Sequence, residues 1–221
     1  MKKSIIITAG GIGKRMESEL PKQFLLLGSK PVLIHALERF FEFDPNAQLI
    51  VTLPKDWVNH WKELLTKYGI QIPHMIVDGG SERFHSIQNA LTICTGDQIG
   101  IHDGVRPLVS IETIERCFSG LQYSTAVVPV LNLKDSLRMG KLEISESVDR
   151  SKFYLVHTPQ CFNSAALKSA YETSFSNLFT DDASVFEANG GSVLIVDSNE
   201  ENIKITSGID LDIAALLIEK K

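Results

Sequence analysis

The chain has 221 residues, a formal net charge of −5, 43% hydrophobic and 22% charged residues. This balance excludes a disordered chain, and the length suits one α/β domain, residues 1–221, with an adequate core. The net negative charge excludes bulk nucleic-acid binding, which needs a broad basic face, so any cations that matter to function are local.

Cys94, Cys117 and Cys161 are odd in number, widely spaced and form no C-x-x-C pair, so neither a disulfide framework nor a zinc site is expected. The apolar run Ile5-Ile6-Ile7 behind Met1-Lys2-Lys3 is too short for a secretory signal or a membrane span. A cytoplasmic location with no membrane partner follows by default.

In chain order, Ser4 to Ala9 is β-branched and reads as a strand buried on both faces. It breaks into Gly10-Gly11-Ile12-Gly13-Lys14-Arg15, with Lys22 shortly after. Three glycines in four residues strip Cβ atoms from in front of the backbone amides, and clustered cations follow, as a polyphosphate requires. The spacing fits neither a P-loop, whose first glycine position is held by Thr8, nor a dinucleotide loop, whose last is held by Met16. A glycine-rich turn with incidental cations stays open as the plainer reading.

Leu33-Ile34, Leu37 and Phe40-Phe41 then recur at helical spacing, and Gln48 to Leu53 reads as a strand ended by Pro54. Trp57 to Leu65 reads as an amphipathic helix, His74 to Val77 as a strand, and the stretch through Cys94 as a helix. Ile99 to His102 is a buried strand, followed by a helix through Phe118 and the strand Thr125 to Val130. The rhythm predicts an α/β fold: a Rossmann-like three-layer sandwich with a mostly parallel sheet. From about 131 to 157 it fails, and a polar stretch predicts a protruding antiparallel arm. Helices over 165–173 and 181–189, strands over 192–196 and 202–206, and a closing helix over 211–219 complete the chain.

In such a sheet, ligands bind beyond the carboxyl ends of the strands. There stand Asp78-Gly79-Gly80-Ser81-Glu82-Arg83 and His102-Asp103-Gly104-Val105-Arg106. Ser81 is a candidate N-cap for the next helix, which would turn Arg83 or Ser86 toward a ligand. Asp103 either holds a hydrated magnesium ion, orients a sugar hydroxyl, or caps the turn before Arg106-Pro107, and Gly104 leaves room for something large. His102 reads as a half-buried structural residue. Lys204 lies between two isoleucines and points away from the core if they face it, although a lone strand lysine is usually a solvated edge charge. Thr180 reads as a helix cap with Asp181 and Asp182 in the first turn.

Taken together, Ala9-Gly10-Gly11-x-Gly13-x-Arg15-Met16 and Pro21-Lys22-Gln23 resemble the signature of sugar-phosphate nucleotidylyltransferases. Asp78-Gly79-Gly80-x-x-Arg83, His102-Asp103-x-x-Arg106-Pro107, Val148-Asp149-Arg150, Thr158-Pro159-Gln160, Thr180-Asp181-Asp182-Ala183-Ser184 and Asn202-Ile203-Lys204-Ile205-Thr206 follow. Their order resembles that of the 2-C-methyl-D-erythritol 4-phosphate cytidylyltransferase family over nearly the whole chain. The resemblance implies transfer of CMP from CTP to methylerythritol phosphate, with Mg²⁺ on the triphosphate. It implies that Arg15 and Lys22 stabilise transition-state charge, and that Arg150 and Lys204 hold the acceptor phosphate. Asp103 would bind the acceptor's hydroxyls with Arg106 alongside, and Asp103 is also the candidate metal ligand. Thr8, Ala9, Gly10, Gly11, Gly13, Lys14, Gly80, Ser81, Arg83 and Ser86 would form the nucleotide side. Ser136 stands where the family's arm has a threonine that touches substrate. In the family the arm crosses a homodimer, so Arg150 would complete the neighbouring subunit's site.

The sequence departs from that pattern in three places. Thr8 replaces an alanine, Ser81 an acidic residue near the expected cytosine pocket, and Gly104-Val105 a pair of alanines. A sister group that makes CDP-ribitol from ribitol 5-phosphate has a similar His-Asp-x-Val-Arg-Pro segment. That acceptor, and a non-catalytic nucleotide-binding module on the same scaffold, are the alternatives.

Overall fold

The computed structural model describes residues 1–10 and 20–219. The proposed nucleotide-loop residues Gly11, Gly13, Lys14 and Arg15 therefore lie outside the described residues.

The first strand, β1 (Lys3–Thr8), lies inside the sheet with a parallel neighbour on each side. Its isoleucines alternate between faces as a strand's period of two requires. Ile5 and Ile7 enter one core with Leu33, Leu37, Trp61 and Phe118, and Ile6 enters the opposite core with Ile50, Phe84, Ile87 and Phe186. A small antiparallel turn follows, formed by β2 (Leu26–Leu27) and β3 (Lys30–Pro31). Helix α1 (Val32–Phe43) begins at Pro31 and buries Leu33, Ile34, Leu37 and Phe40, one apolar stripe at helical spacing.

Strand β4 (Gln48–Leu53), helix α2 (Val58–Lys67), strand β5 (Met75–Asp78), helix α3 (Arg83–Leu91), strand β6 (Gln98–Asp103), helix α4 (Ile111–Gly120) and strand β7 (Ala126–Asn132) continue the alternation. Strands β6, β1, β4 and β5 are neighbours and parallel. Thr8 pairs with Thr52 and Asp103, and Leu53 with Asp78, so the carboxyl ends of four strands share one edge. Helices α1, α2 and α4 supply one core, and α3 with the helices over 164–170 and 182–188 supplies the other, giving three layers.

Beyond β7, the antiparallel pair β8 (Leu137–Gly140) and β9 (Ser145–Val148) forms a separate two-stranded ribbon. The chain returns through β10 (Tyr154–Val156) and β11 (Gln160–Asn163), both antiparallel to β7, and β11 also pairs with β6. Val130 faces Val156 while Val127 faces Cys161, so the returning chain carries two extra residues between these pairings and bulges there. Short helices α5 (Ser164–Ala170) and α6 (Asp182–Ala188) precede β12 (Leu194–Asp197), parallel to β7, and α7 (Gly208–Glu219) closes the chain.

The stretch 202–206 is not a strand. It is an extended segment tied down by the Ile205 amide, which donates to the Val105 carbonyl at 2.9 Å, and by buried Asn202. Among the described residues no helix is long and apolar enough to cross a membrane.

Candidate active site

At the shared strand edge, a cleft of about 270 Å³ opens between Thr8, Ala9 and Gly10 after β1, Gly80 to Arg83 after β5, and Asp103 and Val105 after β6. Lys22, Gln23, Ser86 and Lys204 also line it. The lip of the glycine loop is fixed from both sides. The Ala9 amide donates to the Thr52 carbonyl at 3.0 Å, and buried Gln23 donates from Nε2 to the Ala9 carbonyl at 2.7 Å. The Thr8 hydroxyl donates to the His102 carbonyl at 3.3 Å, which ties this position to β6.

The turn after β5 is built by Ser86, whose hydroxyl accepts from the Gly80 amide at 2.9 Å and donates to the Glu82 carbonyl at 3.2 Å. Helix α3 has Glu82 at its N-cap, without a side-chain capping bond. Ser81 is therefore not the cap. Its exposed hydroxyl instead meets His85 Nδ1 at 3.0 Å.

Asp103 is the electrostatic centre. Lys204 Nζ lies 3.0 Å and Arg106 Nε 3.4 Å from its Oδ2, and Arg83 Nε lies 3.6 Å from Oδ1. Burial alone would raise the pKa of this carboxyl, but Arg83, Lys204 and Arg106 outweigh it and hold it below its ordinary value. Its backbone is fixed by Thr158, whose hydroxyl accepts from the Asp103 amide at 3.1 Å. The same hydroxyl lies 2.9 Å from His102 Nδ1, and His102 Nε2 lies 2.9 Å from the Arg106 carbonyl. Because a carbonyl only accepts, Nε2 carries the proton and Nδ1 accepts from Thr158. His102 is thus fully buried rather than half-buried, and structural.

A second cavity of about 260 Å³ also borders Asp103, lined by Arg106, His157, Thr158, Gln160 and Asp181 among others. Arg83, Asp103 and Lys204 line both spaces. Two ligands seated in the two spaces would therefore meet at one carboxylate and one lysine.

A family model for 2-C-methyl-D-erythritol 4-phosphate cytidylyltransferase matches residues 4–220. The chain belongs to this family. A cytidylyltransferase of that description from Bacteroides fragilis is 48% identical over 99% of this chain and 100% of its own length. One from Porphyromonas gingivalis strain W83 is 44% identical over 98% of each chain. Among solved structures, 4-diphosphocytidyl-2C-methyl-D-erythritol synthase from Anaerococcus prevotii matches with a TM-score of 0.84 at 27% identity, covering 99% of this chain and 96% of its own. The cytidylyltransferase from Thermus thermophilus matches with a TM-score of 0.77 at 28% identity, covering 99% of this chain and all of its own.

Against the site residues that the family resemblance implies, the structure brings together Thr8, Ala9, Gly10, Lys22, Gly80, Ser81, Arg83, Ser86, Asp103 and Lys204 around one cleft. Arg106 faces the second cavity, but its guanidinium is buried and engaged. It donates to the Asn202 carbonyl at 2.7 Å and points Nε at Asp103, so it braces the Lys204 segment. Arg83 also differs from expectation, since both terminal nitrogens are occupied by Asp182, at 2.8 and 2.6 Å, rather than turned toward a nucleotide. Ser136 and Arg150 line neither space. Both are exposed on the arm side, where Arg150 donates to the Lys134 carbonyl.

Asp103 does not suit the metal role. A divalent ion there would enter among three cationic groups and displace Lys204. No group of three or more His, Cys, Asp or Glu among the described residues is arranged to hold one. Gly104 has a packing role instead of a ligand role: a Cβ there would lie 2.8 Å from Leu33 Cδ1 and 3.1 Å from the Thr8 carbonyl oxygen.

Gln23, Thr158, Asp182 and Tyr171 also belong to the site, beyond the residues that the sequence points to. Gln23 and Thr158 had a signal, as neighbours of Lys22 and Pro159 in quoted motifs. Asp182 is a first-turn acid of α6 as expected, but the N-cap is Asp181 and not Thr180, and Asp182 is buried.

Proposed function

We propose that this chain transfers CMP from CTP to 2-C-methyl-D-erythritol 4-phosphate, giving 4-diphosphocytidyl-2-C-methyl-D-erythritol and pyrophosphate. A phosphate oxygen of the acceptor attacks the α-phosphorus of CTP in line. The bond from that phosphorus to the oxygen bridging the β-phosphate breaks, and pyrophosphate leaves with the bonding electrons. No covalent help from protein is needed, because positioning and charge stabilisation supply the catalysis.

The observation that carries this reading is the shared wall of the two spaces. CTP lies in the cleft under Thr8 to Gly10 and Gly80 to Ser86, and the acceptor lies in the second cavity. Asp103 receives the acceptor's hydroxyls while Lys204, 43% exposed at its side chain, reaches the acceptor phosphate. Lys22 lines the nucleotide cleft and neutralises charge that develops on the triphosphate, with Arg15 assigned the same role by family resemblance. A bound Mg²⁺ would neutralise charge on the triphosphate alongside Lys22. Family membership favours methylerythritol phosphate over ribitol 5-phosphate.

The exposed Phe153, Tyr154, Leu155 and Val156 beside the arm, together with Met139, Leu142 and Ile144 on it, form apolar surface suited to a second copy of the chain. In such a homodimer Arg150 and Ser136 serve the neighbour's acceptor cavity.

The test is pyrophosphate release from CTP and Mg²⁺ with methylerythritol phosphate, with ribitol 5-phosphate, and with no acceptor. Release with methylerythritol phosphate is expected. Release with ribitol phosphate alone would overturn the acceptor, and release with neither would favour a binding module.

A further inference from the structure

Asp182 and Tyr171 have no part in the chemistry above, yet they are the most elaborately bonded acid and phenol near it. Asp182 is fully buried and accepts from both terminal nitrogens of Arg83, at 2.8 and 2.6 Å, and from the Tyr171 hydroxyl at 2.6 Å. Its place at the start of α6 is set by the reciprocal capping bonds of Asp181 and Ser184. Tyr171 is held in turn by stacking on Phe84, the residue after Arg83, with ring centroids 4.8 Å apart. Buried ion pairs are not needed for stability alone, since well-packed apolar residues of similar volume serve as well.

The consequence appears on the far side of Arg83. Only its Nε faces Asp103, at 3.6 Å. A guanidinium with unengaged terminal nitrogens would turn its two-nitrogen edge onto Asp103, because the bidentate pair is the stronger geometry. It would then occupy the oxygens that Lys204 and an acceptor's hydroxyls require.

We propose that Asp182, seated by Tyr171, is a positioning residue for acceptor binding, withholding the paired nitrogens of Arg83 from Asp103. The role rests on the reading of Asp103 as the acceptor's hydroxyl site. It acts chiefly on the acceptor: Arg83 lines both spaces, but the turn that shapes the nucleotide side is built by Gly80 and Ser86, whose bonds do not involve Asp182.

Asp182→Asn keeps the volume but offers a single acceptor oxygen, so one Arg83 nitrogen is released. Its KM for methylerythritol phosphate is expected to rise at least about tenfold while KM for CTP stays within about twofold. Adding Arg83→Gln removes the competitor for Asp103 and recovers part of the acceptor affinity, a rescue that a purely structural role does not give. Tyr171→Phe keeps the ion pair, so it remains testable if Asp182→Asn folds poorly, and it should raise the acceptor KM alone by a smaller factor. A joint rise of both KM values in each single variant, or a double variant no better than Asp182→Asn, would overturn the proposal. A crystal structure of Asp182→Asn separates this inference from the proposed function. Arg83 must be turned onto Asp103 there, and Arg83 left in place refutes the inference whatever the substrate proves to be.

Discussion

Lys204 Nζ lies 3.0 Å from Asp103 Oδ2, yet the two side chains are unequally placed: the lysine is 43% exposed and the carboxylate 10%. The anion is fixed by three cations while the lysine faces open cleft, so the two halves of the pair should fail differently when removed. Lys204→Met leaves Asp103 with Arg83 and Arg106, so the protein stays folded. Its kcat/KM should fall by about 10²–10³, the usual cost of one lost transition-state donor. Asp103→Asn leaves buried cations without their anion, so both activity and thermal midpoint should fall. Steady-state kinetics with a melting curve for each variant checks the contrast. Equal loss of stability in the two would contradict it.

Lys22→Ala should lower kcat by a similar factor, about 10²–10³, while the protein stays folded. Arg15→Ala is expected to do the same. Near-normal turnover in both would remove these residues from catalysis.

Acid should destabilise the fold in a defined window. Burial pushes the pKa of His102 from 6.5 down to about 4. As pH falls, the unfolded chain takes up this proton first. The stabilisation is therefore complete above pH 6.5 and is lost as pH falls through the folded-state value, roughly 3 kcal/mol from this fully buried group. Burial and Arg106 push His157 down to about 4 as well, and it adds to the slope. Melting temperatures measured across this range should show a shallower decline in His102→Asn than in wild type. An unchanged slope would exclude His102 as a source.

Gly80→Ala should damage the nucleotide side. An added Cβ would collide with His85 Cβ, and it would lie 2.9 Å from the His85 carbonyl carbon and 3.1 Å from the Ser86 amide. These are backbone and near-backbone atoms at the start of α3, so the helix must shift and carry Ser86 and Arg83 with it. A stability loss of about 1–3 kcal/mol and a raised KM for CTP are expected, read by denaturant titration and kinetics.

Much of this was legible in the sequence because strands with strong signals are those whose side chains decide their fate alone. Ile5 to Ile7 is apolar at every position, and Gln48–Leu53 ends at a proline that cannot continue a ladder. Strand β11 was missed because Gln160 and Asn163 give it polar ends and only four residues. It is held by neighbours on both sides rather than by its own pattern. The segment 202–206 failed in the opposite way, with alternation but no ladder. The site was legible as a set of strand ends, but not as bonds. Nothing local to Asp103 announces Arg83, Thr158 or Lys204, and nothing local to Arg83 announces that Asp182 consumes its nitrogens. Those pairings are tertiary.

If Arg150 serves the neighbouring subunit while Lys204 serves its own, two inactive variants should complement. Mixed after dissociation, Arg150→Ala and Lys204→Met chains form heterodimers with one intact site in each. About one quarter of wild-type activity should return with random pairing. No recovery in mixtures shown to exchange subunits would place Arg150 outside the neighbour's site.

The reaction turns on one chemical event, attack of the acceptor's phosphate on the α-phosphorus of CTP. Methylerythritol phosphate carrying heavy oxygen in its phosphate tests it directly, with the products of one turnover weighed by mass spectrometry. All of the label should appear in 4-diphosphocytidyl-2-C-methyl-D-erythritol and none in pyrophosphate. Label in pyrophosphate, or pyrophosphate formed while the labelled acceptor stays unchanged, would contradict the mechanism.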